Sequence, residues 1–360
     1  MFYEKIHIFG QMGVAPYGVM VALGLLAAIV LGGRENQRIK LMTPELFEKV
    51  ALWTVLWGLI FSRLFYVFTD LPRFMQKPGS IFAIWEGGLV FYGGPIGAVL
   101  YLVYHYVIRR SGPKEGTQVA TLKEGWQRLL RFFDLGAPML ALAHAFGRIG
   151  CLCAGCCYGA VHEGALALHY PEGSPAFAAG GVGRYPIPLI ESAIELSLFM
   201  FLMSLRLKKR FHGQVMLTYV MIYPAARFVL EMFRGDAVRG YVMKLETPAL
   251  NAALGLDPSV PVMMTTSQFI SLFVVAAAIV LTFVGKRAAA DGPIPESAWW
   301  EDEEADEEED EEAEEEEEEA DEDEDEEADE EEEEAADEAE ADEAHASEGA
   351  AESEIKTVQE

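Results

Sequence analysis

Seven stretches of mostly apolar residues, set apart by polar segments rich in glycine and proline, run along the chain at about 14–33, 50–69, 88–108, 132–152, 189–206, 214–233 and 267–285. A helix needs about 20 apolar residues to cross ~30 Å of hydrocarbon, and each stretch meets or approaches that length. The pattern predicts an all-α, polytopic membrane protein with about seven transmembrane helices. Glu4 and Lys5 precede the first stretch and no small-residue cleavage site follows it closely, so it reads as an uncleaved helix.

Lys and Arg between the stretches set the expected orientation, because cytoplasmic loops are enriched in them. With the N-terminus outside, the inside segments carry 16 of these residues, from Arg34 to Arg287, and the outside segments 7, from Lys5 to Lys244. Seven spans then put the C-terminus in the cytoplasm. The long outer segments, about 153–188 and 234–266, hold Pro, Gly and few charges, and are expected on or partly within the outer leaflet.

The net charge of −31 averages two unlike segments. Residues 301–360 hold 39 Asp and Glu against one Lys, whereas residues 1–300 hold 26 Lys and Arg against 19 acids. A run such as Glu314–Glu319 has no apolar surface to offset the entropy of ordering and repels itself. The expected organisation is therefore a membrane domain over 1–288 and a disordered, acidic, cytoplasmic tail over 289–360. A solvated extension is the plain reading of the tail, and a docking site for a basic partner or for cations is the functional one. No internal repeat of the kind that marks many transporters is visible, and no nucleic-acid partner is expected.

Candidate chemistry begins with charged residues inside spans, which are costly there and face a protein interior or an aqueous cavity. Arg63, Arg148 and Arg227 qualify. Arg148 lies in Gly147-Arg148-Ile149-Gly150, near the expected outer end of span four. Arg227 lies in the segment Tyr223 to Arg234, with Glu231 four residues on, so that the two share a helix face and can pair. A buried ion pair that locks the bundle is one reading. The other is a pair of guanidinium forks that bind phosphate oxygens of an anionic lipid headgroup. Five glycines in Gly87–Gly97 serve either close helix packing or a lipid site beside Tyr92. Arg184-Tyr185-Pro186 precedes span five, on which Glu191 and Glu195 are four apart, each a candidate partner for an in-membrane arginine or a carboxyl neutralised by burial.

These motifs, in this order, resemble the prolipoprotein diacylglyceryl transferases of the bacterial cytoplasmic membrane. The likeness rests on Gly87–Gly97, on Gly147–Gly150 with Gly155 and Gly159 following, on Arg184–Pro186 with Glu191, and on Tyr223–Arg234. It implies seven spans with the N-terminus outside, and transfer of the diacylglyceryl group of phosphatidylglycerol to the lipobox cysteine of a preprolipoprotein. It also implies that Arg148 and Arg227 hold and polarise the phosphate, that Glu231 orients Arg227, and that Tyr17 lines the lipid site. Gly159, Arg184, Glu191, Tyr223 and Arg234 follow as further residues of the substrate site. No cofactor or metal is implied.

Two departures stand out. Tyr92, counted among the catalytic candidates, occupies the position where the family pattern usually has His, a proposed base for the thiol; with an ordinary pKa near 10, a tyrosine is a poor base at neutral pH unless a cation lowers it, and the other role open to it is a hydrogen bond to the phosphate. Cys151 and Cys156 replace the usual Asn and Glu, within a cluster of Cys151, Cys153, Cys156 and Cys157 that contains every cysteine of the chain. Cys153-Ala154-Gly155-Cys156 offers an alternative class, a membrane thiol/disulfide redox protein. Crowding of all four cysteines argues against a tetrahedral zinc site, and small packing residues are the plain reading. A third class is a phospholipid-binding relative without catalysis.

Overall fold

The computed structural model describes residues 6–9, 12–83, 88–236 and 240–288. The acidic tail lies outside the described residues.

Ten α-helices appear among the described residues: α1 (Pro16–Ile39), α2 (Pro44–Thr69), α3 (Leu71–Gln76), α4 (Gly93–Val103), α5 (Leu122–Ala154), α6 (Pro175–Ala178), α7 (Ile187–Leu205), α8 (Gln214–Leu230), α9 (Pro248–Ala253) and α10 (Thr266–Ala288). Among the described residues, six helical segments are long and apolar enough to cross a membrane: α1, α2, α5, α7 with its extension to Lys208, α8 with its extension to Phe233, and α10. This is a mostly helical, multi-pass membrane protein. Large apolar side chains such as Leu52, Phe68, Met200, Phe273 and Val280 stand on the outside of the bundle, as a lipid solvent requires.

The third apolar stretch departs from expectation. It is helical only from Gly93, with 11 residues of α-helix and then a wider turn at Tyr104–Ile108. Gly88, at φ +80°, lies under the Tyr66 ring. A Cβ on Gly93 would lie 2.5 Å from the Phe61 carbonyl oxygen, and one on Gly97 would strike the backbone of Trp57. Close packing of α4 on α2 therefore accounts for these glycines.

Stretch four is the opposite case. α5 runs 33 residues, about 50 Å, far longer than a bilayer core. Thr121 caps its start by accepting from the Glu124 N–H at 3.2 Å, and Gly155 ends it in the left-handed conformation at φ +63°. It is the axis of the bundle: α1, α7 and α8 pack against it, while α2 pairs with α4 and α10 with α8.

Two small antiparallel pairings were not expected, β1 (Ile6–Phe9) with β2 (Met12–Val14), and β3 (Tyr241–Leu245) with β4 (Met263–Thr265). The segment between α5 and α7 folds back over the end of α5. Gly159 N–H bonds Tyr185 O at 3.1 Å and Ala160 N–H bonds Phe233 O at 2.7 Å, and Tyr158, Tyr170 and Ala176 form a small core.

Candidate active site

Three helices each bring a pair of polar residues, four apart, to one place. α5 carries His144 and Arg148, α7 carries Glu191 and Glu195, and α8 with its final turn carries Arg227 and Glu231. That spacing stacks each pair on one face one turn apart. Arg148 Nη1 is 3.1 Å from Glu191 Oε2, and Arg227 Nη1 donates to Glu191 Oε1 at 2.9 Å. One carboxylate thus bridges two guanidinium groups. Arg227 Nη2 pairs with Glu231 Oε2 at 2.6 Å, and Arg234 continues the chain, with Nε 3.8 Å from Glu231 Oε2 and 2.8 Å from Asp236 Oδ1. Burial of the side chains is graded: Glu191 and Glu231 are 2% exposed, Arg148 13% and Arg227 12%. The arginines are the part of the network within reach of a ligand. Each guanidinium has five N–H groups, and the bonds described engage only some of them.

His144 was not foreseen. Its Nδ1 lies 2.7 Å from Glu195 Oε1, and its Nε2 accepts from Arg148 Nε at 3.2 Å. These partners assign the proton to Nδ1 and occupy the Nε2 lone pair. The imidazole therefore orients Arg148. Its ring meets Tyr223 edge to face at 4.8 Å and Phe91 at 6.3 Å. The available signal was the spacing of His144 and Arg148, four apart in the stretch of α5 from Leu135 to Ile149 that is otherwise apolar.

The other expected site residues divide. Tyr223 lies beside Arg148, packed on His144. Tyr17, at the start of α1, sits over Gly150, where a Cβ would be 3.0 Å from its ring. Tyr92 caps α4 with its side chain exposed. Arg184 turns away from the cluster: it donates to the carbonyls of Gly159 at 3.2 Å and Ala179 at 2.6 Å, and stacks over Tyr158. Gly159 is held by backbone contact, since a Cβ there would be 2.5 Å from Tyr185. Both brace the covering segment. Arg63 likewise serves backbone carbonyls, those of Ile81, Gly88, Ser80 and Ala83.

Beside Arg148 lie the cysteines. Cys151, Cys156 and Cys157 bring their sulfurs within 4.8 Å of one another, and Cys153 is not of this group. All four cysteines are free thiols. Cys157 is driven toward thiolate, first by hydrogen bonds from the Cys151 and Cys156 thiols and then by Arg234 and Arg148. A separate cavity of about 700 Å³, lined by Lys49, Trp53, Trp57, Tyr104 and Arg109, has none of these residues in its walls.

Residues 4–284 match the family described as prolipoprotein diacylglyceryl transferase. A relative from Clostridium perfringens (strain 13 / Type A) is 33% identical over 279 residues, covering 78% of this chain and 93% of its own. One from Clostridium tetani (strain Massachusetts / E88) is 31% identical over 263 residues, 73% of this chain and 90% of its own. One from Francisella tularensis subsp. novicida (strain U112) is 31% identical over 245 residues, 65% of this chain and 81% of its own. All three are named phosphatidylglycerol--prolipoprotein diacylglyceryl transferase, the first as number 2.

Proposed function

The chain belongs to the prolipoprotein diacylglyceryl transferase family, and on that premise we infer that it transfers the diacylglyceryl group of phosphatidylglycerol to the lipobox cysteine of a preprolipoprotein. A thioether forms and glycerol phosphate leaves.

The single observation that carries the site assignment is the carboxylate of Glu191 bridging Arg148 and Arg227. Attack by sulfur on the glyceryl carbon breaks the carbon–oxygen bond, and negative charge grows on the departing phosphate. Two guanidinium groups fixed by buried carboxylates meet that charge without reorganising at the moment of reaction, the most effective way to lower such a barrier. Glu191 and Glu231 hold the arginines, His144 orients Arg148, and Tyr223 and Tyr17 flank the headgroup and its chains. Arg184, Gly159 and Arg234 support the covering segment.

The distribution of Lys and Arg supports an N-terminus outside, a site at the outer leaflet of the bacterial cytoplasmic membrane and a cytoplasmic acidic tail. The test is transfer of labelled diacylglycerol from phosphatidylglycerol vesicles to a lipobox peptide by the purified protein. Transfer that requires the peptide thiol, Arg148 and Arg227 is expected. A folded preparation that binds phosphatidylglycerol but transfers nothing to any lipobox peptide would instead identify a non-catalytic relative.

A further inference from the structure

The transfer just inferred needs a thiolate, and the groups nearest the arginines do not supply an evident base. Tyr92 stands where the family usually has His, and the Nε2 of His144 is taken by Arg148. Three cysteines whose roles the reaction leaves open follow Arg148 in the chain, the first of them, Cys151, one turn on.

Their convergence is a product of the local fold. Cys151 is in the last turn of α5, three residues after Arg148, so that the two share a face. Gly155, at φ +63°, reverses the chain; the Cys156 N–H returns to Cys151 O at 3.1 Å, and Cys156 Sγ lies 3.6 Å from the same oxygen. Cys157 follows with φ +57°, a left-handed conformation that a side chain rarely adopts and that costs about 1 kcal/mol or more. The cost turns the third thiol toward the other two. Packing alone would not require it.

The dimensions are those of a thiolate metal site. Zinc–sulfur bonds of ~2.3 Å at tetrahedral angles place sulfurs about 3.8 Å apart. The three sulfurs lie within 4.8 Å of one another, so small rotamer changes close them on an ion. The crowding that argued against a tetrahedral site applied to four cysteines. With Cys153 outside the group, three ligands and an open fourth position remain, which is the arrangement of a catalytic rather than a structural zinc. Three thiolates around a divalent cation carry a net negative charge, and cations lie within electrostatic reach of two of them, Arg148 of Cys151 and Cys157, and Arg234 of Cys157. Tyr170, whose buried hydroxyl has no hydrogen-bond partner, lies within electrostatic reach of all three.

We propose that Cys151, Cys156 and Cys157 bind a thiophilic divalent cation of the zinc class, and that its open position takes the thiol of the acceptor cysteine. The inference rests on the transferase reading and supplies its missing base. Coordination deprotonates a thiol outright, and the proton leaves to solvent. The bound sulfur attacks the glyceryl carbon; its electron pair forms the carbon–sulfur bond, and the pair of the breaking carbon–oxygen bond stays on the phosphate. Glycerol phosphate departs with one more negative charge than its diester carried, beside the arginines. The neutral thioether is a poor ligand and releases the metal.

The experiment uses the full-length protein in detergent, with bound metal counted by elemental analysis and with Co²⁺ as a spectroscopic substitute. One zinc per chain is expected in the wild type and in Cys153→Ser, and less than a tenth of that in Cys156→Ser and Cys157→Ser. The Co²⁺ form should show thiolate charge-transfer bands whose ligand-field partners shift on adding a lipobox peptide, and should not shift with its Cys→Ser counterpart. Melting temperatures of the variants in detergent distinguish loss of metal from loss of fold. Full transfer by metal-free protein, or a disulfide among these cysteines in active protein, overturns the proposal and leaves the transferase reading intact. A shift with the peptide thiol but no transfer overturns the transferase reading and leaves the metal site standing.

Discussion

Charges are buried at two levels along α5, and the two differ. Toward its start, Asp134 is paired with Lys209 Nζ at 2.9 Å, and the two side chains are 3% and 1% exposed. The same carboxylate accepts from the backbone N–H groups of Gly213 at 2.8 Å and Val215 at 2.9 Å, at the start of α8. Anion, cation and helix end satisfy one another with both side chains out of reach of any ligand. About 21 Å along the helix, 14 residues on, Arg148 and Arg227 share Glu191 and remain partly open. Here the carboxylates are the buried members and the cations face outward. A buried charge cluster is structural when its donors and acceptors close on each other. It is a site when one sign is held at the surface by the other.

The sharpest way to break the comparison is to truncate one arginine at the open end. Arg148→Ala should lower transfer at least 10³-fold, about 4 kcal/mol in the barrier, with the melting temperature in detergent changed little. Arg148→Lys should restore little, because an ammonium cannot reproduce the fork. Labelled phosphatidylglycerol turnover and a thermal melt decide it. An active, destabilised variant would mean that the open end is structural too.

The closed end should respond in the opposite sense. Asp134→Ala leaves Lys209 buried without its anion, which costs about 3–5 kcal/mol of stability, while kcat measured below the melting transition stays within about twofold. Asp134→Leu with Lys209→Met together should recover most of that stability, since an apolar pair of similar size removes both charges. A failure of the double variant to recover would show that capping α8 matters more than the ion pair.

How much of this was legible in the sequence follows from the range of each interaction. Spans are a property of local composition, and six of the seven stretches were readable as helices long enough to cross a membrane, as was the pairing of Arg227 with Glu231, which needs only helical spacing. Glu191 as the bridge between Arg148 and Arg227 joins three helices, and nothing in local pattern says which of two carboxylates on α7 meets which arginine. Arg184 and Gly159 belong to motifs of the resembled family, yet their contacts are to backbone, a distinction that spacing does not carry. The glycines of α4 read equally as packing or site until α2 was seen against them. Among the cysteines, the grouping of Cys151, Cys156 and Cys157 could not be read from the count between residues, because it depends on the left-handed turns at Gly155 and Cys157.

His144 sharpens the comparison at smaller scale. Its bonds to Glu195 and Arg148 make it a positioning residue, so His144→Gln, which can still accept from Arg148, should reduce kcat by about tenfold or less, and His144→Leu by about 10²-fold. If the imidazole were instead the base, both variants would fall alike and the pH profile would lose its acidic limb. Steady-state rates from pH 5 to 9 separate the two.

The smallest effect is expected at Tyr92, and it bears on what deprotonates the acceptor. A general base contributes about 10² to 10⁴ to such a reaction. The Tyr92 side chain is exposed at the start of α4 and is not part of the ion network, so Tyr92→Phe should change kcat less than about tenfold. Any loss should appear mainly in KM for the lipid, through the hydroxyl's contact with a headgroup. A loss of 10² or more in kcat that is rescued by raising the pH would make Tyr92 the base. In that case the open end would need no further group to ionise the thiol.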